Sequence, residues 1–290
     1  MTELAKVGVE TLWLTPMTGE VFMDKGFIDK LSSAERSSVR KIAFYTNFVI
    51  PSDAQIRALK HISKLTELHI SLYGADVARF VLITAKPAEN FERLVRNLAS
   101  LATELQDWPN RPRVFLELRE GLSFREDQWA GPLAEIVHRL RLECDASLST
   151  ARQFDTWGGT ITPDHLKDLD MALAGGETIP HFGACIHVFC SPMITATDEV
   201  VACGCRGIHA DLLIGDVARE PLHEVLSRGN VRWRSLVEHM NAGEFPSACR
   251  SCSNYRSIWD NRWARGCPPK HAIRLQDAMK IEGATAAHLR

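Results

Sequence analysis

Short runs of apolar residues alternate with longer amphipathic stretches through residues 9–150. The short runs are predicted strands, at residues 9–14, 41–46, 68–72, 113–118 and 146–150. The stretches between them include predicted helices at residues 25–31, 52–62, 89–105 and 128–140. Strands that alternate with helices are typical of a parallel sheet with crossover connections. The pattern therefore predicts an α/β fold, and because about five strands are too few to close a barrel, we expect an incomplete (β/α) partial TIM barrel.

The helix predicted for residues 89–105 has the clearest periodicity. Its apolar residues recur at spacings of three and four: Phe91, Leu94, Val95, Leu98, Leu101, Ala102 and Leu105. Such spacing places one apolar stripe on one face of a helix, where it can pack on a sheet. Ser52, directly after Pro51, is the predicted N-cap of the preceding helix.

The pattern changes after Asp155. Trp157-Gly158-Gly159 and Gly175-Gly176 interrupt any regular spacing, and the sequence between them is typical of loops. We therefore predict a first domain over residues 1–155, a linker over 156–180, a small second domain over 181–270 and a tail over 271–290. In the second domain, apolar residues alternate on both sides of Thr197-Asp198-Glu199, which predicts a hairpin over residues 193–203. Two short helices are predicted at residues 221–226 and 231–240.

Composition and charge narrow the class of protein. The chain has 290 residues, of which 45% are hydrophobic and 24% charged, and its formal net charge is −2. These values are typical of a globular protein, and no basic field indicates a nucleic-acid or membrane-surface partner. No apolar run is long enough to span a bilayer, and the first residues do not form a basic segment before an apolar one. We expect a cytoplasmic protein that binds neither nucleic acid nor membrane.

The cysteines are concentrated in the last third of the chain. Seven of the eight lie between residues 185 and 267, and the eighth is Cys144. Cys249 and Cys252 form a CxxC pair, and the hairpin flanked by Cys185 and Cys203 can supply two more thiolates. Four thiolates bind either a structural zinc ion or an iron–sulfur cluster. Spacing alone leaves both open, and either metal would stabilise a small domain that has little apolar core.

Three other side chains are candidates for a functional role. His181 and His187 flank Cys185, and histidine can replace cysteine as a metal ligand, although hydrogen-bonded or surface histidines are commoner. Arg119 directly follows the predicted fourth strand, at the sheet edge where ligands bind in such folds. An arginine in that place either binds a ligand carboxylate or stands exposed at the strand end.

The span from Cys185 to Cys252 resembles a known cluster-binding module. It contains Val200-Val201-Ala202-Cys203, Ile214-Gly215-Asp216-Val217, Pro221-Leu222-His223-Glu224-Val225 and Cys249-Arg250-Ser251-Cys252. In this order the segments resemble the SPASM domain, which follows the barrel of radical S-adenosylmethionine (SAM) enzymes. The module usually has a glycine in its hairpin turn where this chain has Asp198. Since only Cys267 follows the CxxC, the resemblance implies one auxiliary [4Fe–4S] cluster, bound by Cys185, Cys203, Cys249 and Cys252.

The first half resembles the barrel of the same enzymes. Thr15-Pro16-Met17-Thr18-Gly19-Glu20, after the first predicted strand, is similar to the glycine–glutamate motif that holds the amino group of SAM. Tyr45-Thr46-Asn47 and Ile70-Ser71-Leu72-Tyr73-Gly74 resemble the ends of the next two strands. The resemblance implies that Thr18, Gly19, Glu20 and Ser71 face SAM if SAM binds. The alternative is an ordinary strand-to-helix turn, as in any α/β protein.

One motif of that family is absent from this sequence. Radical SAM enzymes hold their catalytic cluster by a CxxxCxxC loop after the first barrel strand, and these 290 residues contain no such loop. The sequence begins at about the helix that should follow it, so we expect either a fragment or a natural short form. As written, the chain is not expected to cleave SAM reductively.

The resemblance implies an iron–sulfur protein whose relatives modify peptides, proteins or small molecules. Its cluster would bind substrate or pass on an electron from a donor. The alternative from another class is a non-catalytic binding or scaffold protein that zinc stabilises. A third reading is an electron carrier without a substrate.

Overall fold

The structure is a computed structural model that describes residues 2–17, 19–174, 181–204 and 212–258. Several residues that the sequence singles out lie outside this part: Thr18, Gly175-Gly176, Cys205, Cys267 and the predicted tail. The chain forms two compact units. The first comprises residues 9–154 and 163–172, and the second comprises residues 2–8, 155–162 and the described residues from 173 onward.

The first unit contains a five-stranded parallel sheet. Its strands, hydrogen-bonded in chain order, are β1 (Thr11–Leu14), β2 (Lys41–Thr46), β3 (Leu65–Tyr73), β4 (Arg113–Arg119) and β5 (Ser147–Ala151). All neighbouring pairs are parallel, so the carboxyl ends of the strands lie at one edge of the sheet. The predicted α/β class with five parallel strands is confirmed.

The helices of the described residues are mostly short. In chain order they are α1 (Thr2–Val7), α2 (Phe27–Glu35), α3 (Asp53–Leu59), α4 (Val77–Thr84), α5 (Ala88–Leu105), α6 (Pro132–Cys144), α7 (Pro163–Leu166), α8 (His187–Cys190), α9 (Leu222–Val225), α10 (Val231–Asn241) and α11 (Ser247–Arg250). Two 3₁₀ turns, Val21–Met23 and Glu126–Gln128, and two short strands, β6 (Gln153–Phe154) and β7 (Ala172–Leu173), complete the first part of the chain. In the described ranges, none of these helices has the length and apolarity needed to cross a bilayer.

Local chemistry explains where two of the helices begin. Ser52 caps α3 as predicted, and its hydroxyl accepts a hydrogen bond from the N–H of Gln55, whose side chain accepts one from the N–H of Ser52 in return. The helix predicted from residue 128 begins later, at Pro132, because Gly131 has a φ of +102° and proline suits the first helical position.

The two faces of the five-stranded sheet differ in burial, because side chains alternate between them along each strand. One face is buried in the core of the unit, through Ile42, Phe44, Leu68, Ile70, Leu72, Val114, Leu116 and Leu118. Helix α5 contributes Phe91, Leu94, Leu98, Leu101 and Leu105 to that core. The other face is called the open face. Apart from the buried Ala43, its side chains are partly or well exposed: Trp13, Tyr45, Glu67, His69, Ser71, Tyr73, Arg113, Phe115, Glu117 and Arg119.

The second unit contains a small antiparallel sheet. Its strands are β8 (Met193–Ile194), β9 (Glu199–Val201) and β10 (Leu213–Asp216), in the order β10-β9-β8. The predicted hairpin is confirmed as the β8–β9 pair, and β10 is a third strand that the pattern does not predict. In the turn, Asp198 has a φ of +65°, a left-handed conformation that aspartate tolerates better than most residues.

The second unit has a substantial apolar core, so the prediction of little apolar core is wrong. Its buried members are Ala184, Cys185, Val188, Phe189, Val200, Val201, Ala202, Cys203, Leu212, Ile214, Leu222, Val225, Trp233, Val237, Met240, Cys249, Tyr255 and Ile258. Leu4 and Val7 of α1, which is not predicted from the pattern, also pack against this core. A metal bound in this unit would therefore add to packing that already exists.

Gly74 offers a test of the first unit. It follows β3 with a φ of +94°, and a Cβ atom on it would lie 2.6 Å from the backbone nitrogen of Phe80 and 2.7 Å from the carbonyl carbon of Arg79. We expect Gly74→Ala to lower the free energy of unfolding by about 2 kcal/mol or more, because both the conformation and the close approach to α4 exclude a side chain. Urea titration measures the loss. Gly26→Ala is the matched control, because the φ of Gly26 is −89° and its nearest atom would be Asp24 Oδ1 at 3.4 Å. Equal losses in the two variants would contradict this account.

Candidate functional site

The four cysteines that the spacing singles out line one cavity in the second unit. The cavity has a volume of about 20 Å³, and Cys185, Cys203, Cys249 and Cys252 all contribute to its wall. The other lining residues are His187, Val188, Leu212, Ala248, Asn254 and Tyr255. Thus thiol groups from distant parts of the sequence share one mainly apolar enclosure.

Separate local structures position these cysteines. Cys185 precedes α8 and forms an isolated antiparallel bridge with Ser257. Cys203 lies two residues beyond the end of β9. Cys249 belongs to α11, and Cys252 lies just after this helix, where its N–H donates to the carbonyl oxygen of Cys249 at 3.2 Å. The segment before α8 therefore supplies one thiol, the segment after β9 supplies a second, and the CxxC turn supplies two.

Burial sets the environment of the thiols. Cys185, Cys203 and Cys249 are each at most 8% exposed, and Cys252 is partly exposed. Burial raises the pKa of Cys185 to about 11, although the N–H of Arg256 donates to its Sγ at 3.4 Å and opposes the shift. The Cys185 thiol therefore keeps its proton at neutral pH, and a metal that binds it must displace that proton.

The donor set of this cavity fits a thiolate-bound metal. Cysteine sulfur is the ligand of zinc ribbons and of iron–sulfur clusters, and an apolar wall excludes competing water. Within the described residues, no group of three or more histidine, cysteine or acidic side chains is arranged so that it could hold a metal ion. The four thiols line one cavity, but they do not converge on a single point in this structure.

Tyr255 is a residue of the candidate site that the sequence pattern does not predict. Its ring lines the cysteine cavity, and its hydroxyl donates to the carbonyl oxygens of Phe182 (2.7 Å) and Gly183 (2.6 Å). Burial raises its pKa, so the hydroxyl stays a donor. Tyr255 therefore holds the chain just before Cys185 in place. No spacing signal identifies such a residue, because its role depends on a contact distant in sequence.

The two candidate histidines differ in position. His187 is part of the cavity wall. His181 is not among the lining residues of the described part, and its ring packs against Tyr255 and Phe245, with centroid distances of 4.2 and 5.4 Å. Of the two, only His187 is placed beside the thiols.

Glu20 joins the ends of two strands in the first unit. Its Oε1 accepts from the Thr46 hydroxyl at 2.5 Å and from the Phe22 N–H at 3.4 Å, and its Oε2 accepts from the Asn47 N–H at 2.6 Å. The residue is 7% exposed. Burial raises the pKa of Glu20, and the hydrogen bonds from Thr46, Asn47 and Phe22 oppose that rise. Both carboxylate oxygens of Glu20 thus accept hydrogen bonds from other groups of the protein.

Of the other predicted SAM contacts, the structure describes Gly19 and Ser71. Gly19 precedes Glu20 with a φ of +94°, which favours glycine. Ser71 is on the open face, in register with Glu117 on β4. Thr18 lies outside the described residues.

Arg119 is held between aromatic rings on the open face. Its guanidinium carbon lies 5.5 Å from the ring centroid of Tyr73 and 5.5 Å from that of Phe154. Its Nη2 pairs with Glu117 Oε1 at 2.5 Å, and the side chain is only 22% exposed. The alternative of a freely exposed arginine is therefore wrong.

A row of rings crosses the same face. Trp13 lies against Tyr45 (5.7 Å between centroids), Tyr45 against His69 (4.5 Å) and His69 against Phe115 (4.5 Å). Such cross-strand pairs stabilise a sheet. The open face thus combines an aromatic row with charged and hydroxyl side chains nearer its carboxyl edge.

Comparisons with known proteins give fold similarity alone. No protein-family model and no curated protein matches the sequence. Among solved structures, BtrN in complex with AdoMet and 2-DOIA is similar, with a TM-score of 0.48 and 11% identity over 87% of this chain and 76% of that chain. Native anSMEcpe with bound AdoMet and Kp18Cys peptide has a TM-score of 0.47 and 9% identity over 85% of this chain and 75% of that one. Neither similarity assigns a ligand or a reaction to this chain.

Thr46→Val tests the bond that joins the strand ends. The substitution keeps the shape but removes the hydroxyl that donates to Glu20. We expect the free energy of unfolding to fall by about 1.5–3 kcal/mol near pH 8, as for hydrogen bonds to charged groups. Because this hydrogen bond lowers the pKa of Glu20, its contribution is present where Glu20 is ionised and is lost as the pH falls through the pKa of Glu20.

The measurement is urea unfolding of wild type and variant between about pH 8 and about pH 5. Part of the decrease in the free energy of unfolding of Thr46→Val is independent of pH, because the Thr46 hydroxyl also accepts from the Phe48 N–H at 2.8 Å. Thr46→Ser keeps the hydroxyl and should show no pH-dependent difference from wild type. A Thr46→Val loss that does not change with pH would contradict the assignment.

Proposed function

We propose that this protein is an iron–sulfur protein built on the radical SAM/SPASM plan. In this proposal a partial (β/α) barrel is followed by a SPASM-like domain over residues 181–270, in which Cys185, Cys203, Cys249 and Cys252 bind one auxiliary [4Fe–4S] cluster. The observation that carries the proposal is that these four cysteines, selected by spacing and order alone, line one buried cavity.

A cluster and a single zinc ion place different demands on the four sulfurs. Zinc requires four sulfurs at about 2.3 Å from one point. In a [4Fe–4S] cluster each thiolate binds a different iron, so the sulfurs surround a volume. The four cysteines here line one small cavity with apolar side chains in its wall, and among the described residues no three of them are arranged around a single ion. When bound, the cluster would supply one-electron chemistry. The alternative, a scaffold protein that zinc stabilises, is distinguished by the metal analysis described below.

The role of the four thiols is to hold the cluster for electron transfer or substrate binding. The 290 residues contain no CxxxCxxC, so reductive cleavage of SAM is not part of the proposal for this chain. A substrate would be a peptide, a protein or a small molecule, and an electron donor would be a protein partner. A reducing compartment such as the cytoplasm is consistent with a thiol-rich site.

SAM, where it binds, would meet the carboxyl edge of the first unit's sheet. The proposed contacts are Thr18, Gly19, Glu20 and Ser71. Because both oxygens of Glu20 already accept hydrogen bonds, its side chain would act by fixing the ends of β1 and β2, and the backbone at Gly19 would face the ligand.

The metal content tests the cluster directly. The full-length chain, purified without oxygen and reconstituted with ferrous iron and sulfide, should bind about four iron and four sulfide per chain and show a broad absorption shoulder near about 400 nm. Cys249→Ser and Cys252→Ser should each lose most of the iron, because each removes one of the four proposed ligands. Iron, acid-labile sulfide and zinc are measured in the same samples.

The matched control is Cys144→Ser. Cys144 is a buried cysteine of α6 in the first unit, and its Sγ faces the carbonyl oxygen of Ala102 at 3.8 Å. It should keep the iron content of wild type. A colourless protein with one zinc and no sulfide, or Cys249 and Cys252 variants that keep all their iron, would overturn the cluster proposal.

A further inference from the structure

Residues 255–258, here called the clamp segment, come shortly after the CxxC turn and pair with the chain around Cys185. Two backbone hydrogen bonds form the pairing: from the N–H of Ile186 to the carbonyl oxygen of Arg256 (2.7 Å), and from the N–H of Ile258 to that of Ala184 (2.9 Å). Backbone pairing alone therefore joins Cys185 to the chain that follows the other two thiols of the CxxC turn.

Two buried hydroxyl groups of the clamp segment reinforce this pairing. The Tyr255 hydroxyl donates to the carbonyl oxygens of Phe182 (2.7 Å) and Gly183 (2.6 Å), and the Ser257 hydroxyl donates to that of Phe182 at 2.6 Å. Tyr255 and Ser257 are only 2% and 4% exposed. Because a buried carbonyl group that loses its donor is costly, these bonds resist opening of the backbone before Cys185.

The clamp segment also directs hydrogen-bond donors at the Cys185 sulfur. The N–H of Arg256 donates to Cys185 Sγ at 3.4 Å, and the backbone N–H of His187 donates to the same sulfur. Both donors belong to backbone whose direction is fixed by the pairing. The sulfur is thus held as an acceptor.

Two other cysteines have the opposite surroundings. Cys190 Sγ lies 3.2 Å from the carbonyl oxygen of Ile186, and Cys144 Sγ lies 3.8 Å from that of Ala102. A carbonyl oxygen only accepts, so each of these sulfurs donates as a neutral thiol. N–H groups instead favour a sulfur that carries negative charge, as a metal-bound thiolate does. The hydrogen-bonding groups therefore distinguish Cys185 from Cys190, although both lie in one short stretch of chain.

We propose that Tyr255 and Ser257 are positioning residues for Cys185, and that the N–H groups they keep directed at its sulfur raise the reduction potential of a cluster bound there. The effect on the potential rests on the proposed function. A cluster gains negative charge when it takes up an electron, so N–H donors at a ligand sulfur stabilise the reduced state more than the oxidised state. The clamp segment thus acts on the cluster through Cys185, without touching it.

The first measurement needs no cluster. The metal-free full-length chain is treated with iodoacetamide at a single pH, and alkylation of Cys185 is followed by peptide mass spectrometry. Tyr255→Phe and Ser257→Ala should each be alkylated about tenfold faster than wild type, because each removes hydrogen bonds that oppose local opening. Ser247→Ala is the matched control, since Ser247 is an exposed residue of α11 beside the CxxC turn, and it should match wild type.

The second measurement is the reduction potential of the reconstituted cluster, from a dithionite titration followed by absorption and electron paramagnetic resonance. Tyr255→Phe and Ser257→Ala should shift the potential to more negative values, and Ser247→Ala should not. Val237→Ala controls for a purely structural effect, because Val237 is fully buried in the same core but is not among the residues that line the cavity. It should lower the midpoint of thermal unfolding and leave the potential unchanged.

Wild-type alkylation rates in folded Tyr255→Phe and Ser257→Ala would overturn the positioning of Cys185. A potential that stays at the wild-type value, or that shifts equally in Val237→Ala, would overturn the effect on the cluster. Loss of iron in Cys190→Ala would contradict the distinction between the two sulfurs. If wild type takes up no cluster, the proposed function fails and the effect on the potential fails with it, whereas the alkylation rates still decide whether the clamp segment positions Cys185.

Discussion

The burial of thiol groups in the second unit is the constraint on which the rest of that unit depends. Three of the four cavity cysteines belong to its apolar core, so the site and the packing share the same atoms. Neutral thiols are compatible with such a core, but thiolates are not unless a cation compensates them. Metal binding and protonation are therefore coupled there, as the raised pKa of Cys185 illustrates. Because Tyr255 holds the backbone before Cys185, the core also fixes one side of the cavity without a metal.

The sequence predicts those elements of the first unit whose ends are determined by neighbouring residues. The bounds of β2 and the Ser52 cap agree with the pattern, since a buried strand and a capped helix leave local signals. The short helices α4 and α7 of this unit are not predicted from the pattern, and neither is α1 of the second unit. α4 begins at Asp76, whose side chain accepts from the N–H of Arg79, a cap that becomes recognisable only once the close turn at Gly74 is known. The size of the second core was also underestimated, because its apolar residues are spread over short elements without a period.

Among the candidate residues, some can be identified from spacing in the sequence, whereas others depend on tertiary contacts. Cysteine spacing identified the thiols that line the cavity, because metal ligands come from a short list of residue types. The rings around Arg119 could not be identified in this way, since Phe154 comes from beyond β5 and its proximity is a tertiary contact. The side chain of Glu20 is similar: its position in a motif suggests a ligand contact, whereas the structure shows three hydrogen bonds to the protein. The motif therefore predicts where Glu20 lies, but it does not predict which groups bind its carboxylate.

The partial exposure of Cys252 bears on how a cluster in the second unit would exchange electrons. Cys185, Cys203 and Cys249 are enclosed by the core, whereas Cys252 lies after the short α11 and is partly exposed. A cluster held by these four residues would thus be shielded on three ligands and nearest to solvent at the fourth. Burial and the hydrogen bonds around the sulfurs set the reduction potential of such clusters, and solvent access at one ligand gives a redox partner its nearest approach. If a cluster binds as proposed, the CxxC turn is therefore the side of the cluster nearest to solvent.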